Sequence, residues 1–409
     1  MKNLVGRAVF AQSGGPTAVI NSSIAGGLIE ALNQDCITNV LCAVHGIKGV
    51  LTEDFIDIGQ EDLSELYALK NTPASEFGSV RYKLKDFNVD DSDYKKILEV
   101  FKKYDIRYFF YNGGNDSMDT CDKISRYMEK AGYPVNVIGI PKTIDNDLAE
   151  TDHCPGYGSA AKYVATTITE IYKDAIIYES PLVIVVEIMG RNAGWLTAAA
   201  SLASLTGCGA DLIYLPEIPF SLEKFKSDVK KIVEEKRVCI VAVSEGIKNE
   251  NGKYVGEDAS ATDVFGHSSL GGVCGVLKST VKSIGYKCKA IELNILQRCA
   301  SHIASKTDIE EAFEVGRQSV IHAVNGETDK MVSFVRKNGA YSLDYVGKDL
   351  SLVANAEKTV PLSWITPDGA GLTQEFIDYA LPLIQGEPDR RIKNGLPSYA
   401  NLKKIRFKL

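Results

Sequence analysis

The sequence predicts an α/β protein of two Rossmann-like, doubly wound domains, each on a mainly parallel sheet, with a cleft between them. Two observations carry this. Short β-branched or aromatic runs alternate with longer amphipathic stretches, the pattern of parallel strands joined by helical crossovers. At roughly 100–200 residues per domain, 409 residues exceed one ordinary core and fall short of three.

Taken in chain order, runs at 8–11, 40–44, 107–111, 135–140, 182–188, 211–215 and 238–243 are strand-sized and rich in apolar side chains, so each reads as a buried strand. Between the last two, Phe225, Val229, Ile232 and Val233 recur at helical spacing among Lys and Glu, one face of a helix. Doubly wound sheets gather their chemistry at the carboxyl ends of strands. Motifs at 12–17, 112–117, 141–147, 189–194 and 244–246 all follow apolar runs, so five loops are expected to line one cleft. The polar stretch LAETDHCPGYG places a boundary near residue 150. The expected organisation is a domain over 1–150, completed by a segment near 300–345, a second domain over 151–300, and a C-terminal extension over 345–409.

Composition excludes several classes. Lys+Arg 46 against Asp+Glu 53 leaves a net charge of −7, which disfavours nucleic acid or a membrane surface as a partner. Hydrophobic content of 45% with 24% charged residues is that of a globular chain, which excludes disorder as the main state. Nine scattered cysteines never form C-x-x-C, so neither a disulfide framework nor a zinc cage is expected, and a reducing, cytoplasmic setting is. The first residues reach Gly-Gly-Pro too soon for a signal peptide, and no run is long enough for a membrane span. Histidines 45, 153, 267, 302 and 322 show no ligand spacing. The tail from Asp389 carries seven Lys/Arg against one Asp, expected to be solvated or to touch a neighbouring subunit.

The motifs point to phosphate chemistry. In AQSGGPT, Gly14 and Gly15 follow a strand, with Pro16 and Thr17 expected to open a helix. Such glycines bring backbone N–H groups close to a phosphate, or serve only a tight turn. YNGGNDS repeats the turn with Gly114, then Asn115 and Asp116, which are either a helix cap or a carboxylate set deliberately beside an anion. PKTIDND is the most informative: Lys142, Thr143, Asp145 and Asp147 stand within six residues. One carboxylate can take a hydroxyl proton while the lysine steadies a transferring phosphoryl group. Met189-Gly190-Arg191 presents an arginine at a strand end, suited to a phosphate or to a structural carboxylate pair. Glu245 ends another strand, and Lys289 and Arg298 are further cations.

Together, SGGPTAVIN, GGNDS, PKTIDND, EIMGRNAGW, SEG and ELNILQR resemble the phosphofructokinase family, in its pyrophosphate-dependent branch. ATP users of that family read GGDGS, with Gly before TIDND; here Asp116 and Lys142 stand in those two glycine places. A carboxylate where the α-phosphate of ATP must lie costs about a thousand-fold in affinity.

The resemblance implies reversible phosphoryl transfer from pyrophosphate to O1 of fructose 6-phosphate, with Mg²⁺ as cofactor and a homodimer or homotetramer as the assembly. It implies Asp145, Lys142 and Asp116 as catalytic, with Gly14, Gly15, Gly114 and Lys142 binding the donor. Thr143, Asp145, Met189, Gly190, Arg191, Glu245 and Arg298 would bind the sugar phosphate. Asn115 and Asp147 are the positions facing the metal, although most members carry Asp where Asn115 stands. Leu182 replaces a substrate-site Arg and Ile295 a His, which leaves Lys289 as the nearest substitute cation. On this reading 1–150 is the donor domain and 151–300 the sugar-phosphate domain. The rival readings are an ATP-dependent 6-phosphofructokinase of the same fold and a non-catalytic sugar-phosphate sensor.

Overall fold

All seven apolar runs fall in strands of two separate, mostly parallel sheets. A computed structural model describes residues 4–262, 268–270 and 272–409; His267 and the first three residues lie outside it. The strands are β1 (Gly6–Gln12), β2 (Ile37–Ala43), β3 (Phe55–Asp57), β4 (Ile106–Gly113), β5 (Asn136–Pro141), β6 (Leu182–Ile188), β7 (Leu212–Tyr214), β8 (Val238–Ser244), β9 (Glu257–Thr262), β10 (Ser268–Leu270), β11 (Lys287–Glu292), β12 (Lys330–Arg336) and β13 (Leu343–Asp349).

The first sheet has seven strands in the order β13-β12-β5-β4-β1-β2-β3. Its β12-β5-β4-β1-β2 core is parallel, while β13 and β3 run antiparallel at the two edges. From β1 the chain winds outward to β2, and from β4 outward the other way to β5, so a crevice opens beyond the carboxyl ends of β1 and β4. The second sheet, β11-β6-β8-β7, is parallel throughout. There Ile188 sits in register with Ser244, so the loops after β6 and β8 leave the sheet side by side.

Both faces of each sheet are covered, which explains why the strands read as continuous apolar runs instead of alternating ones. In β1, Val9 and Ala11 enter one buried cluster while Ala8 and Phe10 enter another, where Phe10 stacks on Phe110 at 4.5 Å. Helix α1 (Ile20–Leu32) packs on α2 (Lys306–Val324) at unusually close range. A Cβ on Gly316 would fall 1.8 Å from the Ser23 carbonyl oxygen. The amphipathic stretch at 222–236 is a helix whose Phe225, Val229 and Val233 are buried, with Ile232 at the margin.

One expectation is corrected and another refined. Pro16 and Thr17 do not open a helix: α1 begins at Ile20, and Thr17 instead uses its Oγ1 to accept from Val19 N at 3.2 Å, closing a loop. The basic tail is largely exposed, as expected of a solvated tail, but it is not loose. It returns to acidic residues of its own chain, with Arg391 on Glu65 at 2.8 Å, Lys403 on Asp62 at 2.7 Å and Arg406 on Asp54 at 2.8 Å.

Candidate active site

The loops after β1, β4, β5, β6 and β8 face one another across a cleft of about 350 Å³. Gly14, at φ +76°, turns the chain out of β1, and Ser79 Oγ donates to its carbonyl at 2.7 Å. Lys142 leaves the end of β5 with only 3% exposure, and its Nζ donates to the Gly15 carbonyl at 2.8 Å. A Cβ on Gly14 would come within 3.2 Å of that ammonium, and one on Gly15 within 2.8 Å of Arg298 Nη1. The glycines are therefore places where two cations approach backbone, which a side chain would block. Burial pulls the Lys142 pKa down to about 8, against the opposing pull of Asp145 and Asp147.

Asp145 and Asp147 line the same cleft as Lys142. Thr143 sets the turn between lysine and carboxylates, its Oγ1 accepting from Asp145 N at 3.1 Å. Asn146, in the left-handed region at φ +56°, holds the loop closed: its Oδ1 accepts from Cys154 N at 2.9 Å and its Nδ2 donates to Tyr379 Oη at 2.8 Å. Both carboxyls titrate above their ordinary range. Burial raises Asp145, with Glu245 adding to it and Lys142 opposing; burial raises Asp147, with Asp145 adding to it.

On the second-sheet side, Met189, Arg191 and Glu245 enter the cleft. Gly190 sits just behind, its N–H donating to Glu245 Oε1 at 3.3 Å and its carbonyl accepting from Ser244 Oγ. Gln297, in the segment expected to reach the sugar phosphate, accepts from Met189 N at 3.4 Å. Arg298 stands at the first glycine loop beside Gly15, where its charge reaches Lys142 and Asp145. Lys289 lies outside this cleft, exposed on the edge strand β11, over the Tyr178 ring and 3.8 Å from Asp174.

Gly114 is the N-cap of helix α3 (Asn115–Lys130), with Asn115 and Asp116 in its first turn. Asp116 lines the cleft. Asn115 does not cap the helix, and its amide turns to the chain at 355–356: Nδ2 donates to the Ala356 carbonyl at 2.5 Å and Oδ1 accepts from Asn355 N at 2.7 Å. Both ends of the Asn115 amide thus carry a backbone partner. The carboxylates lining the cleft besides Asp145 and Glu245 are Asp116, Asp147 and Glu357, the last a residue sequence reasoning missed. Among the described residues no group of three His, Cys, Asp or Glu could cage a cation. That donor set fits Mg²⁺ in the mode where substrate phosphates and water supply most ligands.

A family model described as phosphofructokinase matches residues 7–321. The chain is 45% identical over 406 residues, 98% of its length and 96% of the relative's, to a Halomonas elongata protein named pyrophosphate–fructose 6-phosphate 1-phosphotransferase. A Methylococcus capsulatus protein of the same name is 45% identical over 402 residues, 97% of this chain and 95% of that one. Among solved structures, a pyrophosphate-dependent phosphofructokinase from Nitrosospira multiformis superposes with a TM-score of 0.91 at 42% identity, covering 99% of this chain and 98% of that one.

Proposed function

The chain belongs to the phosphofructokinase family, and from that premise we propose that it transfers a phosphoryl group reversibly from pyrophosphate to O1 of fructose 6-phosphate, giving fructose 1,6-bisphosphate and phosphate. The observation that carries this reading is the cleft itself, in which a buried lysine, two carboxylates two residues apart and Asp116 beside a glycine turn converge. The rival ATP reading lacks comparable support: Asp116 lines the cleft, and the resemblance puts a neutral glycine at that position in ATP users.

The chemistry follows from the groups present. Asp145 accepts the proton from the sugar's 1-hydroxyl as its oxygen forms the new O–P bond. The P–O–P bridge of pyrophosphate breaks, and inorganic phosphate leaves with the bond's electron pair. Lys142, fixed to the Gly15 carbonyl, holds positive charge beside the phosphoryl group in transit. Because its ammonium is preorganised and nearly water-free, it acts without reorganisation during the step. Arg191 and Glu245 face the sugar phosphate, the arginine toward an anion and the glutamate toward hydroxyls. Mg²⁺, when bound with the donor, neutralises its charge; Asp147 and Glu357 are the residues that would face it. The residues around the first sheet's loops then form the donor half, those after β6 and β8 the sugar half, in a cytoplasmic homodimer or homotetramer.

The deciding experiment measures fructose 1,6-bisphosphate formation with pyrophosphate and with ATP in parallel. Turnover with pyrophosphate and little with ATP is expected; the reverse defeats the reading.

A further inference from the structure

The segment expected to be a plain C-terminal extension sends one side chain to the loop that carries Asp145 and Asp147. Tyr379 stands in the short helix Gln374–Ala380, outside residues 7–321 that the family model matches. Its ring lies among Trp195, Trp364 and Phe376, with centroids at 5.2, 5.4 and 6.4 Å. The Arg336 guanidinium sits over the same ring at 4.9 Å, and Arg336 Nη1 donates to the Tyr379 carbonyl at 3.1 Å. With the ring and the backbone both held, the direction of the hydroxyl is fixed.

That hydroxyl meets Asn146, which has no exposure and separates Asp145 from Asp147. The hydrogen bonds around Asn146 run in one direction. The Cys154 N–H can only donate, so it takes Asn146 Oδ1 at 2.9 Å and fixes which way the amide faces. Asn146 Nδ2 must then donate, and Tyr379 Oη accepts at 2.8 Å. The Asp152 carbonyl can only accept, so the phenol's single proton goes there, also at 2.8 Å. Tyr379 thus ties residue 146, between the two carboxylates, to residue 152 near the loop's close. Without the phenol oxygen, a buried amide donor would lose this partner. The residue it belongs to holds the left-handed turn at φ +56° on which the placement of both carboxylates depends.

We propose that Tyr379 is a positioning residue for the phosphoryl transfer: acting through Asn146, it holds the turn that carries Asp145 and Asp147. It is not among the residues lining the cleft, so it works without touching substrate. This rests on the proposed function, with Asp145 as the base. The test compares the full-chain wild type, Tyr379→Phe, Asn146→Ala and the double variant in the pyrophosphate assay. Tyr379→Phe keeps the ring and removes only the oxygen. It should lower kcat by about tenfold, with the KM for each substrate nearly constant, because placement of the base matters at the reacting atoms and little for binding. Added to Asn146→Ala it should lower kcat little further, since both changes break the same link. Hydrogen exchange gives a readout apart from turnover, and it decides the matter if Asn146→Ala does not fold. In Tyr379→Phe the peptide over 143–156 should exchange faster while first-sheet strand peptides keep their wild-type rates. A kcat near wild type in Tyr379→Phe overturns the inference. So does a full further loss in the double variant, or faster exchange everywhere, which marks a general loss of stability. A wild type that makes no fructose 1,6-bisphosphate from pyrophosphate overturns the proposed function and this inference with it, so the wild-type rate tells the two failures apart.

Discussion

At the cleft the decisive quantities are the protonation states of two side chains three residues apart. Asp145 must be ionised to take the hydroxyl proton, and Lys142 must be charged to steady the phosphoryl group. Replacing Asp145 with Ser should lower kcat by about 10²–10⁴, with the circular dichroism melt unchanged; near-normal turnover would defeat its role as base. The same pair sets the pH profile. Burial lifts Asp145 to about 6 and lowers Lys142 to about 8, so kcat/KM should climb as pH rises through the first and drop as it passes the second. A profile still at its plateau near pH ~4, the ordinary carboxylate range, would remove the raised carboxyl from the mechanism. These residues were legible because the family's motif and the physics of a lysine beside carboxylates agree. Glu357 was not, since a lone acid in an extended stretch carries no periodicity and no motif. The engagement of Asn115 was hidden for the same reason: its partners are backbone groups 240 residues along the chain.

Among elements, the loop from Thr143 to Gly156 depends on a buried cation for its anchorage. His153, 1% exposed, bonds Asp152 Oδ1 through Nδ1 and Glu311 Oε2 through Nε2, both at 2.8 Å. Two ionised carboxylates can only accept, so the ring carries both protons. Arg336 Nη2 braces Asp152 at 2.8 Å, and Tyr341 Oη donates to Glu311, tying the loop to α2 and β12. Burial alone would lower the His153 pKa, but Glu311 and Asp152 outweigh it and the net shift is upward. A raised folded pKa means stabilisation that is complete below the unfolded value and fades as pH rises through the folded one. His153→Gln should therefore cost about 3–5 kcal/mol near neutral pH and less at alkaline pH, measured by urea unfolding at each. An equal loss at all pH values would mean the ring is a neutral packing group. The strands were readable from sequence because burial on both faces makes them continuously apolar. The late start of α1 was not, because Pro16 suits a first helical turn and a loop equally well.

On the scale of the whole molecule, the C-terminal stretch divides into a part that builds the protein and a part that rests on it. Val360, Ile365, Phe376, Ile377, Ala380 and Leu383 are buried in the second sheet's core, and Trp364 meets Trp195 edge to face at 6.0 Å. Beyond Glu387 the chain lies on the surface through exposed pairs such as Arg391 with Glu65 and Lys403 with Asp62, and near its end Phe407 N donates to the Phe55 carbonyl at 2.9 Å while its ring packs on Tyr104. Exposed pairs contribute about 0–1 kcal/mol each and weaken with salt. From sequence the whole of 345–409 looked like one extension, since the short helix and extended pieces over 355–384 present no long amphipathic face. A chain ending after Glu387 should fold and keep its pyrophosphate-dependent turnover, with a melting temperature lower by a few degrees. A chain ending after Ala354 should lose both, because it strips apolar cover from the second sheet and Glu357 from the cleft together. Thermal melts and the coupled assay on both truncations check this. Full activity in the shorter chain would show that neither Glu357 nor the apolar cover over the second sheet is needed for turnover.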